Sequence, residues 1–158
     1  MKILYLFLDV DGVLNDKGYW NKFKKKYPQM SDVLIPYIPF NPKSLKNLVE
    51  LNKRLKRKKI KMEIVLTSSW RKYVENMAIL HAKMFEIGLT ISYKTPIRNS
   101  KDEEITIWLK RYNNPQNYLV IDDLSLSFED NHFVRTDMQS GFTRKKLKEC
   151  LKKIKKMR

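Results

Sequence analysis

Two aspartates stand two residues apart, directly after an apolar stretch near the start of the chain. Asp9 and Asp11 follow residues 3–8, which carry no polar face. Such a pair can share one cation while doing different work, because one carboxylate can act as a nucleophile and the other can carry protons. Gly12 allows a sharp turn and brings backbone N–H groups close to whatever the acids hold. A lone Asp-x-Asp is more often a capped strand end, but the apolar strand before it and Gly12-Val13 after it favour a site.

A second pair of acids, Asp122 and Asp123, follows the apolar residues 117–121. Adjacent carboxylates repel each other unless a cation or a base lies between them. Together with Asp9 they can form an all-oxygen Mg2+ site. The sequence therefore predicts a magnesium centre and leaves open whether Asp122 or Asp123 is the direct ligand.

Hydroxyl groups and cations accompany the acids. Residues 67–71 read Thr-Ser-Ser-Trp-Arg and follow the apolar residues 62–66. Ser68 or Ser69 can cap a helix whose apolar stripe begins at Trp70. The alternative to a site at these residues is that all three hydroxyl groups only cap the helix. Further along, Lys101 stands at the predicted N-terminus of a helix, although a cation there opposes the helix dipole.

The elements that must position these residues alternate between strands and helices. Five apolar stretches predict strands, at residues 3–8, 62–66, 88–93, 117–121 and 132–136. Four helix starts follow from capping residues and periodicity, at Asn41-Pro42, near Trp70, at Ser100 and at Thr143. A first strand without a polar face is typical of a parallel sheet, and open α/β sheets bind ligands at the carboxyl ends of their strands.

Residues 14–41 form the one long stretch that is not assigned to the alternating strands and helices. They are too few for a domain and many for a plain loop, so a functional flap is plausible. Aromatic residues alternate there with lysines, around Trp20, Phe23 and Tyr27. This composition suits either base stacking with phosphate contacts or a small hydrophobic flap with a solvated rim. We favour the flap without stacking.

Composition indicates one globular domain over residues 1–158. Hydrophobic residues make up 42% and charged residues 32%, which excludes a disordered chain, and no apolar run reaches transmembrane length. We expect no signal peptide and no membrane partner. The single cysteine, Cys150, excludes an internal disulfide and a zinc site built from cysteines, and its spacing predicts a buried position on a helix. A soluble cytoplasmic protein is expected.

The net charge of +16 favours polyanionic partners, with nucleic acid ahead of acidic membrane. Lysine far outnumbers arginine, and isoleucine, asparagine and tyrosine are abundant. An AT-rich genome would give the same composition without any partner. The two explanations carry equal weight at this stage, and the oligomeric state is not predicted.

Taken in order, these motifs resemble those of the haloacid dehalogenase superfamily. The first motif of that family is Asp-x-Asp-Gly-(Thr/Val), which residues 9–13 match, and Thr67 fits its second motif, a Ser or Thr at a strand end. The third motif is a basic residue near position 101, and Asp122-Asp123 resemble the fourth. The longer pattern, including Ile-x-x-Trp-Leu and Gly-Phe-Thr, is similar to the haloacid-dehalogenase-type domain of Swiss-army-knife RNA repair proteins and of small stand-alone relatives.

The resemblance implies a fold and a set of roles. The fold would be a Rossmann-like three-layer α/β/α sandwich with a mainly parallel five-stranded sheet, strand order roughly 5-4-1-2-3, and a minimal cap. Asp9 would attack phosphorus to form an aspartyl-phosphate, and Asp11 would protonate the leaving oxygen and then activate water. Thr67 would bind a phosphoryl oxygen, and Lys101 would hold the phosphate and the charge of the nucleophile, with Arg98 and Lys94 as alternatives.

The implied ligand sets complete this picture. Mg2+ would be bound by Asp9, by the backbone carbonyl of Asp11, and by Asp122 or Asp123. Predicted substrate-binding residues are Gly12, Ser68, Arg71 and Arg98.

The function predicted from these roles is a Mg2+-dependent phosphatase. Dehalogenase members lack the second aspartate of the first motif, so Asp11 favours phosphate chemistry. The substrate would be a phosphorylated molecule, with nucleic-acid ends and nucleotides as candidates. Two alternatives are a non-catalytic basic nucleic-acid-binding module on the same fold and a small-molecule phosphatase acting on nucleotides or sugar phosphates.

Overall fold

A computed structural model describes residues 1–31 and 39–157. Its strands are Lys2–Leu8 (β1), Ile60–Leu66 (β2), Ile91–Lys94 (β3), Tyr118–Asp122 (β4) and Phe133–Arg135 (β5). Its helices are Lys17–Lys26 (α1), Pro28–Ser31 (α2), Pro42–Arg57 (α3), Val74–Glu86 (α4), Lys101–Arg111 (α5) and Arg144–Lys156 (α6). Two 3-10 turns occupy Ser69–Lys72 and Asp130–His132. Among these described helices, none combines the length and the apolar character that crossing a bilayer requires.

The five strands form one parallel sheet with the order β3-β2-β1-β4-β5. This confirms the predicted fold class and strand order. The central strand β1 pairs with β2 and β4 in a register that sets Leu8 beside Leu66 and Ile121. The last residues of three adjacent strands therefore lie side by side, and the residues that follow them emerge at one edge of the sheet.

Helices cover both faces of the sheet. Alternate residues of β1 face opposite sides, because side chains of a strand alternate with period two. Leu4, Leu6 and Leu8 belong to the apolar core shared with α3, α4 and α6, and this core includes the buried Cys150. Phe7 belongs to a second core that contains Ile105, Trp108 and Leu109 of α5. The arrangement is the three-layer sandwich expected from the sequence.

The start of the predicted flap is buried in the domain, and the helix α1 follows it. Leu14 to Asp16 are buried, and the Asp16 carboxylate caps α1 by accepting the backbone N–H of Tyr19 at 2.7 Å. No residue of α1 is buried. Its aromatic rings contact one another, with Trp20 and Phe23 stacked at 5.9 Å between centroids. The flap without base stacking stays a prediction, and its part at residues 32–38 lies outside the described residues.

The segment after β5 packs against the loop after β1. Thr136 Oγ1 donates to the carbonyl of Gly12 at 2.7 Å, and the N–H of Phe142 donates to the carbonyl of Val13 at 2.8 Å. In the other direction, the N–H of Lys17 donates to the carbonyl of Met138 at 2.8 Å. The loop that carries the first pair of aspartates is therefore held in place by residues far away in the sequence.

Candidate active site

The strand ends bring the predicted site residues together. The backbone N–H of Asp9 donates to the carbonyl of Ile121 at 3.1 Å, and that of Thr67 donates to the carbonyl of Leu8 at 3.0 Å. These bonds continue the ladders of β1 with β4 and with β2 one step past the strands. Asp9, Thr67 and Asp122 consequently start from neighbouring positions at the carboxyl edge of the sheet, where such folds bind their ligands.

The ammonium group of Lys101 lies between two buried carboxylates. Its Nζ is 2.7 Å from Asp9 Oδ2 and 2.7 Å from Asp122 Oδ2, and these two carboxylate side chains are 6% and 0% exposed. The start of α5 fixes this cation, since Ser100 caps the helix by accepting the N–H of Glu103. A buried carboxylate is costly unless it is paired, so Lys101 makes the close approach of Asp9 and Asp122 tolerable.

Ionisation at this cluster reflects burial and crowded negative charge. Burial, and after it the charge of Asp122, raises the pKa of Asp9 to about 6, against the opposing effect of Lys101. Burial also raises the pKa of Asp122, and burial together with Asp9 raises that of Asp123. Burial disfavours the charge of Lys101, but the two carboxylates outweigh it and hold its pKa above the usual value. One ammonium does not neutralise this cluster.

A divalent cation would supply the missing positive charge. One oxygen of each of Asp9, Asp122 and Asp123 lies within 4.8 Å of the others. Three carboxylates against one ammonium leave two negative charges when all are ionised, and carboxylate oxygens are the ligands that Mg2+ takes in proteins. Gly12 makes the approach of Asp123 possible, because it has φ of +75° and a Cβ at this position would lie 2.6 Å from the Asp123 carboxyl carbon. The residues present therefore fit a magnesium site.

Thr67 adds a buried hydroxyl that has no partner. Thr67 is 0% exposed. In the described part of the chain, its Oγ1 is the only buried side-chain N or O atom without a hydrogen-bond partner. A buried polar group left unpaired is unfavourable, and such exceptions are often explained by a ligand. An oxyanion at the strand ends would satisfy this hydroxyl.

Comparison with known proteins agrees with this arrangement. A family model described as the HAD domain in Swiss Army Knife RNA repair proteins matches residues 5–147. The chain belongs to this family. No curated protein and no solved structure matches the chain. Membership in this haloacid-dehalogenase-type (HAD) family supports hydrolase activity of that type, and members of the superfamily generally use Mg2+.

Within the HAD domain, only one of the three candidate cations for the third motif contacts the acids. Arg98 is exposed, and its guanidinium donates to the carbonyl of the adjacent Ile97 at 2.8 Å. Lys94 is also exposed, at the end of β3. In the described residues, Lys101 is thus the cation in contact with Asp9. The prediction that Arg98 binds substrate gains no support, because this contact faces its own backbone.

Arg71, which was predicted to bind substrate, contacts only protein groups among the described residues. Its side chain is 3% exposed and pairs with Glu104 Oε2 at 2.6 Å. The remaining N–H groups donate to backbone carbonyls, those of Thr67, Ser68, Thr95 and Pro96. A guanidinium has five donors, and all five are used. Arg71 therefore fixes the turn after β2 against the end of β3 and against α5, and has no N–H left for a substrate.

Ser68 and Gly12 are also engaged within the protein. Ser68 is buried, and its Oγ accepts the backbone N–H of Trp70 at 3.2 Å, which is the capping role that the sequence predicted. The N–H of Gly12 donates to Asn15 Oδ1 at 3.1 Å. That Gly12 contributes to substrate binding stays a prediction, and in the structure its lack of a side chain gives room to Asp123.

Asp11 accepts hydrogen bonds from two side chains whose proximity to it was not predicted from the sequence. Asn15 Nδ2 donates to Asp11 Oδ1 at 2.7 Å, and Trp70 Nε1 donates to Asp11 Oδ2 at 3.1 Å. The helix predicted from Trp70 begins instead at Val74, which is 82% exposed, and Trp70 belongs to the preceding 3-10 turn. The one sign of this role in the sequence is that Trp70 belongs to the Thr-Ser-Ser-Trp-Arg motif.

Proposed function

We propose that this HAD domain is a Mg2+-dependent phosphomonoester hydrolase that uses Asp9 as its nucleophile. The observation that carries the proposal is the contact of Lys101 Nζ with both Asp9 and Asp122 at 2.7 Å. A cation so placed can offset the charge of a phosphate that approaches Asp9. A merely structural ion pair would not need the third carboxylate, Asp123, or an unpaired buried hydroxyl on Thr67, at the end of the neighbouring strand β2.

In the first half of the reaction, a carboxylate oxygen of Asp9 attacks phosphorus. The new bond joins that oxygen to phosphorus, and the bond from phosphorus to the leaving oxygen breaks. Asp11 donates a proton to the leaving oxygen, which departs as an alcohol. The product on the protein is an aspartyl-phosphate at Asp9.

In the second half, Asp11 takes a proton from water and the water oxygen attacks phosphorus. The bond to Asp9 breaks, inorganic phosphate leaves, and both carboxyl groups return to their first state. Thr67 and Lys101 provide the donor and the cation for phosphoryl oxygens in both halves. Mg2+ bound by Asp9, by the Asp11 carbonyl and by Asp122 or Asp123 would neutralise charge on the transferring group.

The first experiment measures hydrolysis of an aryl phosphate with and without metal. Activity should require Mg2+, vanish in EDTA and return when Mg2+ is restored. Asp9→Asn should abolish both turnover and the capture of beryllium fluoride as a phosphoryl mimic. Glu129→Gln is the control, since it removes the same charge from an exposed site. Full activity of wild type in EDTA, or of Asp9→Asn, would refute the assignment.

For the substrate, we propose a phosphate at the end of a nucleic acid. Three features support this proposal: the family description names RNA repair proteins, the net charge is +16, and α1, the helix that follows the site loop, carries three lysines in its last turn. Residues 14–41 are too few for a full cap domain, so we expect a large molecule to reach the strand ends. Lysines that neutralise phosphates make binding depend on salt through the release of counterions.

The second experiment compares kcat/KM on a phosphorylated oligonucleotide with that on the mononucleotide. The oligonucleotide should be preferred, and the preference should shrink between about 50 and 200 mM salt. Replacing Lys24, Lys25 and Lys26 by glutamine should reduce the preference and leave turnover of the mononucleotide unchanged. The control removes three charges from the outer face of α6 by changing Lys145, Lys148 and Lys152.

Two outcomes would favour the other candidate functions. Equal kcat/KM on oligonucleotide and mononucleotide at low salt would leave a small-molecule phosphatase. Tight oligonucleotide binding with no hydrolysis of any phosphate ester, in the presence of Mg2+, would leave a non-catalytic binding module. The basic charge would be a by-product of composition in the first case and the basis of the function in the second.

A further inference from the structure

We propose that Trp70 and Asn15 are positioning residues that hold the Asp11 carboxylate in the orientation needed for proton transfer. The proposal rests on the phosphatase function argued above. Each oxygen of Asp11 accepts one hydrogen bond, from Asn15 Nδ2 at 2.7 Å and from Trp70 Nε1 at 3.1 Å. Two donors on the two oxygens fix the plane of the carboxyl group as well as its place.

The donors are themselves immobilised. Asn15 is 0% exposed and Trp70 is 2% exposed. Asn15 Oδ1 accepts the N–H of Gly12 at 3.1 Å, so the NH2 end of its amide must face Asp11. The backbone N–H of Trp70 is bound to Ser68, and its ring packs against Phe40 at 5.5 Å between centroids. Neither side chain can turn away from Asp11 without breaking a second contact.

The chemistry of the two donors suits a proton carrier. An indole N–H only donates, and the amide nitrogen of asparagine only donates. Neither can accept a proton from Asp11, so the proton of Asp11 is exchanged with substrate and water. Both donors also leave one lone pair free on each carboxylate oxygen. The geometry thus restrains Asp11 without competing for its proton.

Arg71 explains why the restraint is rigid. Its bonds to the carbonyls of Thr67 and Ser68 fix the turn on which Trp70 stands. The same turn carries the hydroxyl of Thr67. One buried guanidinium therefore holds in place both the proposed phosphoryl-binding hydroxyl and the indole that orients the proton carrier.

The kinetic test uses the leaving group as its readout. Trp70→Phe keeps an aromatic ring and removes the N–H. Proton donation matters most when the leaving oxygen is basic, so kcat/KM on an alkyl phosphate should fall on the order of 10-fold more than kcat/KM on p-nitrophenyl phosphate. In the Asp11→Asn background, Trp70→Phe should have no further effect. Trp108→Phe, which alters a buried indole in the other core, is the control and should leave the ratio unchanged.

A second measurement does not depend on activity. The chain has three tryptophans, so an NMR spectrum should show three indole N–H signals. The single substitutions Trp20→Phe and Trp108→Phe each remove one signal, and the signal that both variants keep belongs to Trp70. A bond to a carboxylate is stronger than one to an amide, so Asp11→Asn should move the Trp70 signal upfield and leave the other two in place. An unmoved Trp70 signal, or equal losses on both substrates in Trp70→Phe, would overturn the proposal. Absence of all phosphatase activity in wild type would instead refute the proposed function, and the NMR result would still decide the contact.

Discussion

Replacing the Asp9 carboxylate by an amide is expected to stabilise the metal-free protein while it abolishes activity. Burial and the nearby Asp122 raise the pKa of Asp9 from 3.8 to about 6, even with Lys101 in contact. One pKa unit corresponds to about 1.4 kcal/mol. Ionised Asp9 therefore weakens the folded state by about 3 kcal/mol above pH 6, and an amide, which resembles the protonated acid, removes this effect.

The sign of the effect sets its dependence on pH. The folded state holds the Asp9 proton up to about pH 6, whereas the unfolded state releases it near 3.8. Between these values the folded state binds more protons, so the stability of the wild type falls as pH rises. Asp9→Asn has no such titration. The difference between the two proteins should be near zero at about pH 3.5, grow through pH 4–6 and stay constant above.

The assay is thermal unfolding in EDTA across this pH range. For a domain of this size, about 3 kcal/mol corresponds to a rise in Tm of about 6–12 °C. Glu129→Gln, with the same charge change on the surface, should move Tm by less than about 2 °C. Saturating Mg2+ should stabilise the wild type more than Asp9→Asn and narrow the gap. An Asp9→Asn protein that is less stable than wild type in EDTA at about pH 7.5, or a gain that does not vary with pH, would refute the reasoning.

Three further substitutions test the site from other directions. Lys101→Ala should remove activity and lower the free energy of unfolding in EDTA by about 3–5 kcal/mol, because it leaves two buried carboxylates unpaired; a stable, active variant in urea and kinetic assays would contradict this. Gly12→Ala should weaken Mg2+ binding measured by calorimetry, whereas Gly88→Ala, with similar positive φ and open space around it, should bind Mg2+ as wild type does. Arg71→Lys should cost about 3 kcal/mol in urea unfolding, since an ammonium cannot replace five planar donors and leaves buried carbonyls without a hydrogen bond. Arg98→Lys should cost less than about 0.5 kcal/mol.

The sequence was sufficient where one physical signal decides the outcome. Apolar stretches that end in polar residues predicted the strands and the site edge, since few arrangements bury such strands other than a parallel sheet. The strand order was implied by the family that the ordered motifs resemble. Lys101 was singled out because a cation at a helix N-terminus opposes the helix dipole, and the structure places it in contact with Asp9 and Asp122. The N-terminal end of β3 was less certain, and that strand begins at Ile91 rather than at residue 88.

Predictions from the sequence failed where the outcome depends on burial and donor geometry. A cation beside a phosphate motif suggests phosphate binding, and nothing in the sequence tells that Arg71 is enclosed by four carbonyls and Glu104. The spacing of apolar residues predicted that Trp70 is buried in the core, and it is. That spacing carries no information on the direction of the indole N–H. Gly12 was assigned to a turn, and the space it leaves for Asp123 becomes visible only when β1 and β4 lie side by side.

The contacts between the segment after β5 and the loop after β1 have a consequence for the order in which the protein is made. Thr136 and Gly12 are 124 residues apart, which takes roughly 6–25 s of synthesis at about 5–20 residues per second. During that time Asp9 and Asp11 have already been synthesised, but the residues that brace their loop have not. Asp9 and Asp11 are thus made well before the segment that braces their loop. A nascent chain therefore lacks these supporting contacts until the segment after β5 has been translated.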